Sequence, residues 1–338
     1  MSEKPRLVSN PPNPFESASR TYLEESPRVE LHVYEERAKS ILSENDSPDL
    51  TFKWSLNPYR GCQHACAYCY ARPRHQNLGF GAGTDFENKI VVKTNAPHLL
   101  REALAKESWK GESIMFSGDT DCYQPLEASY ELTRRCLEAC LDHENPVGII
   151  TKSSLIMRDA ALLQDLSRTA GASVYFSIPF IDEEMSLKVE PGAPRPLLRL
   201  KAMERLAQAG IQVGVMAAPI IPGLNDHQIP DILRAAANAG ATQAGFQLMR
   251  LPGPVQDVFF ERIRAKFPGA ADKIEGRIRE TRGGDLSDEN FHTRFHGKGP
   301  YWETIERVFQ VWREKLGLNQ RLRLPEKKKF ERQTVLFS

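Results

Sequence analysis

The sequence predicts an α/β fold, a partial (β/α)6 barrel with N- and C-terminal extensions, on three observations. Apolar β-rich runs alternate with segments of helical apolar spacing, each run closes in a polar or glycine-containing turn, and the theme repeats six times. Such alternation builds a parallel sheet whose functional loops sit at the strand C-terminal ends. Six units predict a partial barrel, because a closed one takes eight.

The elements follow in order. The stretch to about Phe15 is rich in proline and asparagine and lacks periodicity, so it reads as a loosely attached arm. A helix is expected around Glu35 to Leu42, ending before Ser47-Pro48. Leu50 to Leu56 alternates polar and apolar residues around Phe52 and Trp54, and reads as the first strand. Five further strands are expected at Ser113 to Phe116, Val147 to Thr151, Ser173 to Ile178, Ile211 to Ala217 and Gln243 to Met249. The helices between them are Pro97 to Glu107, Leu126 to Asp142, Ser154 to Ala170, Pro196 to Gly210 and Asp226 to Ala239. From about Gly269 the theme stops. Trp302, Ile305, Val308, Phe309 and Trp312 then fall at helical spacing, which predicts a helix packed over the barrel's open side. The organisation is therefore 1–46 as N-terminal arm and helix, 47–268 as barrel, and 269–338 as C-terminal helical extension with a basic tail.

At 338 residues the chain accommodates one large domain with extensions. Lys+Arg and Asp+Glu number 45 and 44, so overall charge announces neither a nucleic-acid nor a membrane partner. The apolar run Val213 to Leu224 is broken by Gly214, Pro219, Pro222 and Gly223 and is too short to cross a bilayer. With no secretory leader in view, the composition reads as that of a cytoplasmic enzyme.

The first strand runs into Asn57-Pro58-Tyr59-Arg60-Gly61-Cys62-Gln63-His64-Ala65-Cys66-Ala67-Tyr68-Cys69-Tyr70, with three cysteines spaced Cys62-x3-Cys66-x2-Cys69. A cubane iron–sulfur cluster takes a soft thiolate at each corner, and this loop supplies three. With no fourth, one iron keeps an open position where a small molecule can bind and receive an electron. A zinc site would instead recruit a histidine such as His64 or His75, but the paired ligands of a zinc knuckle are missing. Of the other thiols, Cys136 and Cys140 sit on the apolar side of a helix and read as core. Cys122 falls just after a strand end.

The cysteine loop resembles that of the radical S-adenosylmethionine superfamily. The resemblance implies a [4Fe-4S] cluster on Cys62, Cys66 and Cys69 and a fourth iron chelated by the methionine moiety of S-adenosyl-L-methionine. It further implies reductive cleavage to a 5′-deoxyadenosyl radical that abstracts hydrogen from a substrate, fed by an external electron donor of flavodoxin or ferredoxin type. It points to the same (β/α)6 barrel.

Within that frame the strand ends acquire roles. Ser117, Gly118 and Asp119 take the place where the superfamily carries a Gly-Gly-Glu-like segment holding the methionine amino group, a partial match. The same residues also suit a turn and helix cap. Lys152 ends the third strand, where it can pair with the methionine carboxylate or reach to water. Ser177 ends the fourth, at the position similar proteins use for the ribose hydroxyls, and Tyr68 matches the aromatic whose backbone contacts adenine.

The segments Ser47-Pro48-Asp49, Tyr70-Ala71-Arg72-Pro73, Thr120-Asp121-Cys122-Tyr123-Gln124-Pro125 and Ala218-Pro219-Ile220-Ile221-Pro222-Gly223 resemble bacterial radical SAM proteins related to spore photoproduct lyase. That family uses tyrosines flanking the third cluster cysteine, matched by Tyr68 and Tyr70, and a cysteine hydrogen donor at the end of the second strand. Here Gly118 stands at that position and the nearest thiol is Cys122, so Tyr70 and Cys122 are the expected catalytic residues.

Three weaker signals complete the reading. Gly79-Phe80-Gly81-Ala82-Gly83 lacks the strand and helix of a nucleotide-binding fingerprint and reads as a flexible surface loop. Arg72, Arg74 and His75 are expected at the site's mouth or as solvated charges. The basic tail, Arg321, Arg323, Lys327, Lys328, Lys329 and Arg332, offers nucleic-acid contact or a solvated terminus. Two classes of function remain. One is a radical enzyme on an unidentified substrate, with nucleic acid the first candidate. The other is an iron–sulfur protein that binds nucleic acid or senses redox state without radical chemistry.

Overall fold

The computed structural model describes residues 30–320 and, as backbone, the strand β1 (Arg6–Val8). The rest of the N-terminal arm and the whole basic tail lie outside the described residues. After β1 come β2 (His32–Glu36), β3 (Leu42–Glu44), β4 (Trp54–Leu56), β5 (Tyr59–Arg60), α1 (Arg72–Gln76), α2 (Asp85–Asn88), β6 (Lys89–Lys93) and α3 (Ala96–Leu104). The repeating part follows as β7 (Ile114–Phe116), α4 (Glu127–Tyr130), α5 (Leu132–Asp142), β8 (Val147–Thr151), α6 (Ala160–Thr169), β9 (Ala172–Ser177), α7 (Glu183–Val189) and α8 (Pro196–Gln208). It ends with β10 (Gln212–Ile220), α9 (Ile229–Asn238), β11 (Gln243–Leu248), α10 (Val255–Lys266), α11 (Ala271–Thr281) and α12 (Gly299–Lys315).

Two sheets result. The large one runs β11-β10-β9-β8-β7-β4-β3, with the first six parallel and β3 antiparallel at its edge. These six parallel strands are the six units that the alternation predicts, and the sheet stays open. Ile114, Phe116, Ile149, Val174, Phe176 and Val215 are fully buried along it, as expected for strands covered on both faces. Each such side chain contributes on the order of 1.5–3 kcal/mol. The small sheet, β1-β2-β6-β5, flanks the cysteine loop.

Several expectations are corrected. No helix forms over Glu35 to Leu42: His32–Glu36 is a strand pairing in parallel with β6, itself a strand that periodicity did not pick out. The helix expected over Leu126 to Asp142 is split at Glu131, whose φ of 51° is left-handed. The break has a cause. Glu127 turns its carboxylate onto the amides of Thr133 (2.9 Å) and Arg134 (3.2 Å), so the short α4 caps the start of α5. The loop Gly79 to Gly83 is tied down, with Arg72 donating to the carbonyls of Ala82 and Gly83 and Gly81 donating to Asp85.

The C-terminal extension closes the edges. In α12, Trp302 and Phe309 are buried against Phe246 of β11, with rings 5.7 and 4.2 Å away. The preceding segment bridges both ends of the large sheet. At the β11 end, Leu248 donates to the Phe295 carbonyl at 3.0 Å. Toward β3 and β4, Arg294 pairs with Asp49 at 2.6 Å and bonds Ser47, while the His292 amide donates to Asp49 at 2.6 Å. Buried Arg282 fastens the bridge by donating to the carbonyls of Met249, Arg294 and His296.

Candidate active site

Cys62, Cys66 and Cys69 lie in the loop that follows β5, between the small sheet and the head of the large one. All three are free thiols, with Cys62 and Cys66 buried and Cys69 half-buried. Burial pushes the Cys62 thiol well up, an effect that nearby Asp121 adds to. It carries Cys66 to about 12 despite Lys152, and it raises Cys69 despite Arg72. Each thiol must therefore surrender a proton to bind iron.

The loop is held from three sides. Arg72, fully buried, donates to the Cys66 carbonyl through two nitrogens and pairs with Glu87. Arg262 of α10 donates to the Ala65 carbonyl at 2.9 Å and to Glu87 at 2.6 Å. On the third side Ala67 donates to the Val189 carbonyl at 2.9 Å, and Gly192 donates to that of His64 at 3.1 Å. Only glycine fits at position 192, since a Cβ there would stand 2.0 Å from the Gln63 carbonyl oxygen. Of the three residues expected at the mouth, Arg72 and His75 are buried supports and Arg74 alone is exposed.

Two groups of side chains meet this loop. The inner group is buried. Tyr68 donates its hydroxyl to Glu190, Glu190 pairs with Arg199 at 2.6 Å, and Arg199 donates to the Ser177 carbonyl at 2.9 Å. Lys152 lies 3.9 Å from Glu190 and 5.7 Å from the Tyr68 ring centre. Burial alone would raise the Glu190 carboxyl, but Arg199 and Lys152 hold it below its ordinary range. Among the described residues the Lys152 ammonium makes no hydrogen bond, and with its side chain 17% exposed it keeps donors to spare. Ser177 is buried with its hydroxyl on the Ala218 carbonyl at 2.9 Å.

The outer group forms the mouth. Tyr70, 45% exposed, donates to the Gly118 carbonyl at 3.0 Å. Asp119 beside it faces Arg74 at 3.3 Å, and its carboxyl is raised by burial despite Arg74, Lys93 and Arg60. Ser117 adopts a left-handed φ of 70° and accepts the Cys122 amide at 2.9 Å, closing a tight turn at the end of β7. That turn sends Cys122 inward. Its side chain is fully buried in the main core, so the structure does not bring it together with Tyr70.

Sequence reasoning did not pick out Glu190, Arg199, Asp121 or the role of His64. Asp121 accepts from Thr151 (2.7 Å), the Lys152 amide (2.7 Å) and the Tyr123 amide (2.9 Å), and faces His64 Nδ1 at 3.3 Å. Burial would raise it, but His64 and these donors hold it at about 2. A signal for Asp121 was present in its place two residues past Asp119. Glu190 and Arg199 carry none.

Three free thiols on one loop are the soft donor type that an iron–sulfur cluster takes. Among the described residues no three His, Cys, Asp or Glu side chains converge as a single metal would require. A cubane bonds its thiolates through different irons and keeps them apart at separate corners. Beside these thiols the unsatisfied ammonium of Lys152 suits an anionic group such as an amino-acid carboxylate.

The radical SAM superfamily profile matches residues 56–236. An uncharacterized protein of Mycobacterium tuberculosis is 38% identical over 215 residues, covering 63% of this chain and 63% of its own. The chain thus spans less than two thirds of that relative's length. A radical SAM Nalpha-GlyT isomerase of Pseudomonas phage M6 is 23% identical over 264 residues, covering 77% of this chain and 51% of its own. Among solved structures, spore photoproduct lyase complexed with dinucleoside spore photoproduct superposes with a TM-score of 0.59 at 15% identity, covering 88% of this chain and 85% of that one. At that identity the likeness is one of fold.

Proposed function

The chain belongs to the radical SAM superfamily, and on that premise we propose that Cys62, Cys66 and Cys69 hold a [4Fe-4S] cluster whose open iron takes S-adenosyl-L-methionine. When bound, the pair supplies a hydrogen-abstracting 5′-deoxyadenosyl radical on receipt of one electron from an external flavodoxin- or ferredoxin-type donor. The observation that carries the reading is the placing of three free thiols on one loop, with the largely covered ammonium of Lys152 close enough to act on Cys66 and without a hydrogen bond among the described residues.

The chain's own residues then divide the work. Lys152 neutralises the methionine carboxylate, Ser117, Gly118 and Asp119 receive the amino group, Ser177 faces the ribose, and the Tyr68 backbone meets adenine. Tyr70 stands at the mouth as the catalytic side chain. Cys122 would need the Ser117 to Tyr123 turn to open before it reached a substrate. A thiol at position 118 has no room, because a Cβ there would meet the Ser55 Cβ at 2.8 Å. Cysteine return of hydrogen from that position is therefore left out of the proposal.

Nucleic acid is the proposed substrate class. Arg74, exposed at the mouth beside Asp119 at 3.3 Å, offers a cation to an anionic chain. Spore photoproduct lyase, similar in fold, is complexed with a dinucleoside ligand, and this lends the same direction.

Anaerobic reconstitution, reduction and chromatographic assay for 5′-deoxyadenosine test the reading. The product is expected from the wild type and lost in Cys66→Ala, while Cys136→Ala keeps its iron. A cluster whose electron paramagnetic resonance signal ignores S-adenosylmethionine, with no product, would favour the redox-sensing class instead.

A further inference from the structure

We propose that Glu190 is a positioning residue that couples the cysteine loop to the cationic pocket, holding Lys152 ready for a ligand carboxylate while Arg199 anchors Glu190 itself. The inference rests on the reading above.

Its geometry is that of a hub. One carboxylate oxygen takes the Tyr68 hydroxyl and faces Lys152 at 3.9 Å, and the other takes Arg199 at 2.6 Å. Tyr68 belongs to the cysteine loop, Lys152 directly follows β8, and Arg199 lies on α8. Three elements far apart in sequence therefore converge on one fully buried side chain. The backbone repeats the tie on both sides of Glu190, through Val189 to Ala67 and Gly192 to His64. Arg199 is committed to Glu190 and to the Pro194 and Ser177 carbonyls, so of the two cations facing Glu190 it is Lys152 whose ammonium keeps donors free among the described residues.

Without Glu190, Arg199 and Lys152 would lose the carboxylate between them and Tyr68 would lose its hydroxyl acceptor, so the lysine would no longer be held at a fixed place beside the cysteine loop. The opposing effect is also physical: Glu190 repels an incoming anion. The two effects act in opposite directions on affinity, so a measurement decides between them.

The test uses reconstituted wild type, Glu190→Gln, Glu190→Asp and Gly192→Ala, with S-adenosylmethionine titrated against the electron paramagnetic resonance signal of the reduced cluster. Gly192→Ala moves the clamp segment without touching a charge. Glu190→Gln is expected to raise the half-saturating concentration by about tenfold or more with iron and sulfide content unchanged, whereas Gly192→Ala, which drives a Cβ into the Gln63 carbonyl beside Cys62, is expected to lower iron content as well. Glu190→Asp is expected to fall between wild type and Glu190→Gln. An unchanged or lower half-saturation in Glu190→Gln overturns the inference, as does a loss of iron that accounts for the whole effect. A wild-type signal indifferent to S-adenosylmethionine overturns the proposed function itself and is seen before any variant is compared.

Discussion

Two buried carboxylate hubs lie in this protein, and they differ in how their charges balance. At the first, Glu127 accepts from Tyr59 (2.5 Å), Arg158 (2.8 Å) and the amides of Thr133 and Arg134. Neighbouring Asp159 accepts from Tyr123 (3.0 Å), Arg134 (2.7 Å) and Arg158 through two nitrogens. Two carboxylates meet two guanidiniums. At the second, Glu190 alone meets Arg199 and Lys152, and the ammonium stays unbonded among the described residues. A closed hub has nothing left to offer a ligand and can only hold the fold; the open one retains a charge that a ligand can satisfy.

Substitutions should separate the two. Glu127→Ala removes an anion that Arg158, Tyr59 and the amides of Thr133 and Arg134 depend on, and is expected to cost about 3–5 kcal/mol, read as a lower urea midpoint. Its half-saturation by S-adenosylmethionine below the melting range should match wild type. Lys152→Met should do the reverse. Removing the surplus ammonium leaves the Glu190–Arg199 pair neutral, so stability holds or rises while ligand half-saturation worsens about tenfold or more. A midpoint that fell as far as in Glu127→Ala would erase the distinction.

Acid sharpens it further. The Glu190 carboxyl is held below its ordinary 4.5, so its contribution to stability is in full force above that pH and is lost as pH falls through the lower folded value. Urea midpoints followed from pH 5 downward should decline less steeply in Glu190→Gln than in wild type. The smallest effect belongs to the closed hub's rim. Glu138→Ala removes a half-exposed partner of Arg134 at 3.3 Å and should shift stability by less than about 0.5 kcal/mol.

How much of this was legible differs by element. The six parallel strands were, because covered strands are written as apolar runs with turns between them, as in Val147–Thr151 and Ala172–Ser177. The cysteine loop was, because its chemistry is local in sequence. Glu190 was not. It acts on Tyr68 across 122 residues from a loop with no periodicity, and nothing local distinguishes it from a solvated glutamate. Arg72 misled for the same reason: a charge after the cysteines reads as exposed, yet five hydrogen bonds bury it. Cys122 sits where strand ends carry chemistry, but the turn held by Ser117 points it into the core. The helix expected over Glu35 to Leu42 overlaps the end of the strand at 32–36, whose partner β6 the periodicity does not pick out, and a short strand is recognised by what it pairs with.

The bond from Arg262 to the Ala65 carbonyl spans 197 residues. During synthesis the cysteine loop emerges long before the side chain that closes it, and so does the Glu87 carboxylate that both arginines share. A nascent chain carrying all three thiols, and even the whole segment that defines the superfamily, still lacks one wall of the loop. Vectorial synthesis therefore sets a clock on this site: its thiols wait, reduced and unenclosed, until α10 has left the ribosome and folded back.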